Sequence, residues 1–182
     1  MTTAERSASQ AAASVAVQAI QLIPAGDRAG FDALFHPEAV NHEAPVAPPA
    51  ARVPGPEGFH QIALWLRSAF DDLRYDVEHV VADGDLVALR NVFGGRHVGP
   101  FVLHTADGQV DTVFPPTGRT FAVHQTHWLR IADGQVIDHW ADRDDMGHAQ
   151  QAGWVPPTPV FLMRMAWAKR RAVRAHQVRV VP

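Results

Sequence analysis

Residues 119–145 read RTFAVHQTHWLRIADGQVIDHWADRDD. From Arg119 to Ile131 the residues alternate, as a β-strand requires. One face carries Phe121, Val123, Gln125, His127, Leu129 and Ile131. The other carries Ala122, His124, Thr126, Trp128 and Arg130. The first face is apolar except for Gln125 and His127 at its middle. Buried polar groups there need partners, because an unsatisfied one costs about 1–3 kcal/mol. The pair is therefore either a satisfied structural feature or part of a site.

The Asp133-Gly134 turn suits a two-residue hairpin, in which both central residues take positive φ. That geometry pairs Ile131 with Val136, Leu129 with Asp138, His127 with Trp140 and Gln125 with Asp142. Trp140 and Asp142, with Asp144 beyond them, are expected on the face of Gln125 and His127. A bulge would move this register by one residue. A His, a Gln, a Trp and one or two carboxylates on an apolar wall suit acid–base chemistry, since burial raises a carboxylate's pKa and a neighbouring His can share its proton. Asp144-Asp145 also reads as an acidic helix start before Met146.

Working outward, Ala82-Asp83-Gly84 and Ala106-Asp107-Gly108 repeat the Asp-Gly signal, so strands joined by hairpins are expected from Arg74 onward. Upstream, residues 4–23 read as a helix ending at Pro24-Ala25-Gly26, and a short helix is expected from Asp27 to Phe35. Pro45, Pro48, Pro49 and Pro54 mark a loop over a pocket mouth, opened by Val40-Asn41-His42. Gly55-Pro56-Glu57 starts a helix whose apolar positions, Phe59 to Leu73, recur at helical spacing. Helices followed by a strand meander predict an α+β fold with a strongly curved antiparallel sheet. Asn41 and His42 are either turn residues or the pocket's other wall. His97, after Gly94-Gly95-Arg96, either turns into the pocket or lies on the surface.

Composition narrows the chemistry. The chain of 182 residues suits one domain, with 47% hydrophobic and 19% charged residues. It has no Cys, its single Lys is Lys169, and none of its four Ser sits in a G-x-S-x-G elbow. Thiol, Schiff-base and serine-hydrolase chemistry are thus disfavoured, as are Walker, Rossmann and H-E-x-x-H sites. No metal is expected, because His124 and His127 face opposite sides and no calcium loop is present. No bilayer-spanning run or signal peptide is read, so a cytoplasmic location is expected. After Asp145 there are six basic residues and no acidic one, which puts +6 in the tail and leaves −9 for the rest of a chain of net charge −3. An acidic body argues against nucleic acid as a partner.

These residues resemble the SnoaL-like polyketide cyclases, within the broader nuclear-transport-factor-2-like superfold. The matching pieces occur in the family's order: His36-Pro37-Glu38-Ala39-Val40-Asn41, Gly55-Pro56-Glu57-Gly58-Phe59, Gly95-Arg96-His97-Val98-Gly99, Pro115-Pro116-Thr117-Gly118-Arg119, Gln125-Thr126-His127, Asp133 to His139, and Gln150-Gln151-Ala152-Gly153. The resemblance covers roughly residues 10–155. It implies a cone-shaped α+β barrel and a cofactor-free intramolecular aldol closure in aromatic polyketide biosynthesis, of the kind that makes antibiotics. It implies pocket residues Asn41, His97, Gln125 and His127, a small-molecule substrate and a homodimer; the turn and register readings add His42 and Trp140 as expected substrate contacts.

One departure stands out. The cyclases keep their catalytic Asp two residues after a strand His, in an Asp-His-Arg-Asp run. Here the run is Asp138-His139-Trp140-Ala141, so Ala141 holds the acid's place. The expected acid is therefore Asp142 or Asp144, working with His127. Alternatives are another cofactor-free reaction, such as isomerisation, dehydration, pericyclic cyclisation or epoxide opening, or a non-catalytic aromatic-ligand-binding protein. Residues 1–155 are expected to form the barrel and 156–182 a basic extension. In that extension, residues 160–176 read as an amphipathic helix that packs on its own domain or a partner subunit, or binds an anionic membrane or carrier protein.

Overall fold

The computed structural model describes residues 3–180. Val181 and Pro182, at the end of the expected extension, and the side chain of Arg179, counted in its charge, lie outside the described residues. Two helices, α1 (Thr3–Ala25) and α2 (Arg28–Leu34), lead into strand β1 (Phe35–Asn41). Asp27 caps α2 by accepting the Ala29 N–H. A short 3-10 turn (Pro49–Arg52) and helix α3 (Gly55–Ala69) follow, then strands β2 (Phe70–Asp83), β3 (Leu86–His97), β4 (Phe101–His104), β5 (Val110–Phe114), β6 (Thr120–Ala132) and β7 (Gln135–Arg143). Helices α4 (Asp145–Gln151) and α5 (Pro159–Val180) close the chain.

The main sheet has the order β1-β7-β6-β3-β2, and β4-β5 form a separate pair. Its pairs are antiparallel except β1 with β7, which run parallel, so the expected antiparallel sheet is in fact mixed. Sequence patterning missed β1 because Pro37 lies inside it. Proline cannot donate to a ladder, and β1 takes it as an edge strand whose register shifts between Phe35 and Val40. Gly55 lets α3 start against this strand: its φ is +78°, and a Cβ there would sit 2.2 Å from the Pro37 carbonyl oxygen.

The three Asp-Gly signals resolve differently. Asp133-Gly134 forms the two-residue turn, with φ of 49° and 78°. In the β2–β3 hairpin the loop is Gly84-Asp85, one residue later than expected, since Asp83 pairs with Leu86. Around Asp107 the loop is longer, and the Thr105 hydroxyl holds it by accepting the Gln109 N–H at 3.0 Å.

Buried residues of α1 (Ala16, Ala19, Ile20) and α3 (Phe59, Ala63) join Leu89, Phe93, Phe121, Val123 and Leu129 of the sheet in one core. Small alanines let α1 lie close to the sheet. Phe161, at the start of α5, belongs to this core, and Met165 packs against it. Among the described residues no helix is long and apolar enough to cross a membrane.

Candidate active site

Between the helices and the sheet lies a cavity of ≈ 330 Å³, lined by apolar and aromatic side chains from α1, α3, the sheet and α4. Strand β6 places its buried face as its alternation requires, with Gln125 and His127 on the cavity wall. Strand β7 departs from the expected register. Ile131 pairs with Val136 but Arg130 pairs with Asp138, so Ile137 is an extra residue and β7 bulges there. Beyond the bulge His139 pairs with Leu129, Ala141 with His127 and Arg143 with Gln125. One residue of slip turns every following side chain to the opposite face.

The correction falls on the carboxylates. Asp142 lies outside, where it accepts a hydrogen bond from Trp128 Nε1 at 3.0 Å. Trp140 lies outside too, stacked on His42 with ring centroids 4.7 Å apart. His42 is 3.0 Å from Asp138 and does not line the cavity, because alternation points it away from Asn41. Asp144 caps α4 by accepting the Gly147 N–H at 2.8 Å. His97 is neither on the surface nor on the cavity wall. It is fully buried at the end of β3, with Nδ1 3.2 Å from Trp154 Nε1. The indole N–H can only donate, so Nδ1 of His97 accepts and the proton resides on Nε2.

In their place the structure assembles a chain of four polar groups. Gln125 Oε1 is 3.1 Å from His127 Nε2, His127 Nδ1 is 2.9 Å from His139 Nε2, and His139 Nδ1 is 2.9 Å from Asn41 Oδ1. Asn41 Oδ1 also accepts the Glu43 backbone N–H at 3.1 Å, which fixes its oxygen toward the ring. His139 Nδ1–H therefore donates to Asn41, and His127 Nδ1–H donates to His139 Nε2. Two neutral rings carry two protons for three gaps. The third gap, at Gln125, is filled either by turning the amide so that its N–H₂ donates to His127 or by one added proton on the pair. With both amide oxygens facing the rings, the chain suits the protonated pair.

Burial sets the ground state. It lowers His139 to about 4 and His127 well below its ordinary value, and the positive Arg143 lowers both further. The pair is therefore neutral at neutral pH. Arg143, which lines the cavity, is ion-paired with Glu43 at 3.1 Å and Asp145 at 3.4 Å. Burial raises the Tyr75 hydroxyl, so a protonated phenol also belongs to the wall.

Sequence reasoning thus placed Asn41, Gln125 and His127 together and missed His139, Glu43 and Arg143. The signal for the bulge was present: Val136-Ile137 sets two apolar residues side by side and breaks the alternation of β7. No group of three or more His, Cys, Asp or Glu among the described residues is placed to hold a metal.

Comparison with known proteins agrees with this architecture. A family model described as SnoaL-like polyketide cyclase matches residues 14–152. The nogalonic acid methyl ester cyclase of Streptomyces nogalater is 32% identical over 123 residues, covering 67% of this chain and 82% of that protein. The aklanonic acid methyl ester cyclase DnrD of Streptomyces peucetius is 35% identical over 107 residues, but the match spans 58% of this chain and 66% of that one. Among solved structures, TsrD from Streptomyces laurentii superposes with a TM-score of 0.62 at 25% identity, covering 84% of this chain and 98% of that one. IdmH from Streptomyces antibioticus gives 0.60 at 27% identity, with 78% and 98% covered. With the family model matched over residues 14–152, well over half of the chain, the chain belongs to the SnoaL-like polyketide cyclase family.

Proposed function

We propose that this protein closes a ring in a polyketide-derived substrate by cofactor-free intramolecular aldol addition, with the His127–His139 pair moving the proton. The observation that carries this reading is the relay: two neutral imidazoles, hydrogen-bonded to each other and reaching an apolar cavity through Gln125. A flat, apolar substrate suits such a wall.

All four ring nitrogens are engaged, so the base opens only where a partner can leave. Gln125 is that partner, since its side chain lines the cavity and, among the described residues, bonds only to His127. When its amide swings aside, Nε2 of His127 accepts the proton of a C–H flanked by carbonyls. The electron pair stays on the substrate as an enolate. The pair now carries one added proton, and both amide oxygens accept hydrogen bonds from it once the Gln125 amide swings back. The enolate carbon attacks a carbonyl carbon of the same molecule, a C–C bond forms, and the alkoxide takes the proton back. No atom is gained or lost. Arg143, whose charge disfavours the imidazolium, favours the enolate beside it.

Incubation with aklanonic acid methyl ester and nogalonic acid methyl ester tests the reading. The expected product has unchanged mass, one more ring and one fewer ketone by NMR. Ala141 favours a second reading, a different cofactor-free reaction, and a product of lower mass would reveal dehydration instead. Binding with no turnover overturns both in favour of a ligand carrier.

In the same reading the protein works in the cytoplasm as a homodimer. Val81, Ala88, Trp128 and Trp140 form one row across the outer face of the sheet, and Val81 and Trp128 are exposed. Light scattering that returns a monomer mass overturns the dimer.

A further inference from the structure

The far end of the cavity holds a polar side chain that the relay does not use. His148, on α4, lines the cavity and is only 9% exposed. Its ring lies among Phe121, Trp154, Phe70 and Phe93, with centroid separations of 4.2, 4.8, 5.5 and 5.7 Å. Its Nε2 is buried without a hydrogen-bond partner, and neither ring nitrogen has one among the described residues. A phenylalanine or leucine would fill such a box without that penalty, since a buried polar group costs free energy unless it is bonded. The imidazole therefore fits a partner that arrives with the ligand.

We infer that His148 is a specificity-determining residue, hydrogen-bonding a hydroxyl or carbonyl oxygen on the inner ring of a flat, apolar substrate. The substrate class rests on the cyclase reading above; the anchor itself rests on the box. A run of rings connects the two ends of the cavity: His127 to Tyr75 at 5.7 Å, Tyr75 to Phe93 at 5.0 Å, and Phe93 to His148 at 5.7 Å. A fused-ring ligand lying on that wall meets an imidazole at each end, one to exchange a proton and one to set its position along the cavity. Burial holds His148 at about 4, so it is neutral and offers one donor and one acceptor.

Calorimetric titration of the full chain with 2-naphthol, 2-methoxynaphthalene and naphthalene tests this. The wild type is expected to prefer 2-naphthol to naphthalene by about tenfold, the worth of one hydrogen bond. His148→Leu should abolish that preference while binding naphthalene at least as well, and His148→Gln should restore part of it. An equal preference for 2-naphthol in wild type and His148→Leu overturns the anchor, as does equal binding of all three probes by the wild type. Because no turnover is read, failure of the cyclase reaction leaves these outcomes unchanged. A wild type that closes the ring yet shows no preference for 2-naphthol would sink the anchor alone.

Discussion

The two ends of the cavity hold the same residue type in similar surroundings and put it to different use. At the sheet end, His127 and His139 are bonded to each other and to amides on both sides. At the helix end, His148 sits among rings with neither nitrogen bonded among the described residues. Burial is the leading cause of the lowered pKa in every case, so desolvation does not distinguish them. Bonding does. An imidazole with a partner on each nitrogen can pass a proton along, whereas one with none can only bind what enters. A buried, perturbed histidine is thus a candidate for function, and its neighbours decide which function.

The largest effect should come from breaking the relay. His127→Phe is expected to lower kcat by roughly 10²–10⁴-fold, the usual worth of a general base, with little change in KM. His148→Leu should instead raise KM about tenfold, with kcat nearly preserved, because it removes a contact made equally in the ground and transition states. Steady-state kinetics with circular dichroism to confirm folding would separate the two. If His148→Leu lost kcat and His127→Phe lost only affinity, the roles of the two ends would be reversed.

Acid should next reveal what the ends share. His97, His139 and His148 are each lowered by burial to about 4, and burial also holds His127 well below its ordinary value. In the unfolded chain an imidazole binds its proton near its ordinary 6.5. Between pH 6.5 and 4 the unfolded state therefore holds more protons than the folded one, and stability falls as pH falls. The contribution is fully present above 6.5 and lost below about 4. A single group shifted this far is worth about 3 kcal/mol, or roughly 6–12 °C of Tm in a chain of this size. Thermal melts across that window should show the decline, and His148→Leu should make it shallower. A Tm independent of pH there would mean that these rings are not buried neutral. An acid limb of kcat/KM near 4 would look like a carboxylate, so only substitution can identify the base.

How much of this was legible beforehand depended on how local the signal was. The alternation of β6 is a property of its own thirteen residues, and it placed Gln125 and His127 correctly. The Asp133-Gly134 turn was equally local. The register of β7 was not, because it depends on a bulge at Ile137 set where β7 also pairs with the irregular, proline-containing β1. That one residue exchanged Trp140 and Asp142 for His139, Ala141 and Arg143 on the wall. His148 was invisible for a different reason. Nothing in Met146-Gly147-His148-Ala149 shows that four aromatic rings from distant segments close around it.

The smallest effects should fall on the two carboxylates outside the cavity, and they test the bulge most directly. Asp144→Ala removes the cap of α4 and should cost about 1 kcal/mol, or roughly 2–4 °C of Tm. Asp142→Asn keeps an oxygen for Trp128 Nε1 and should stay within about 0.5 kcal/mol of the wild type. Neither carboxylate meets the substrate in the register found, so kcat should change by no more than about twofold in either variant. In the unbulged register Asp142 would stand beside Gln125, and its loss would remove an acid from the wall. A hundredfold fall in kcat for Asp142→Asn, with Tm unchanged, would therefore mean that β7 pairs without its bulge when it works. His139 would then face outward, the relay would not exist, and the contrast between the two ends of the cavity would fail with it.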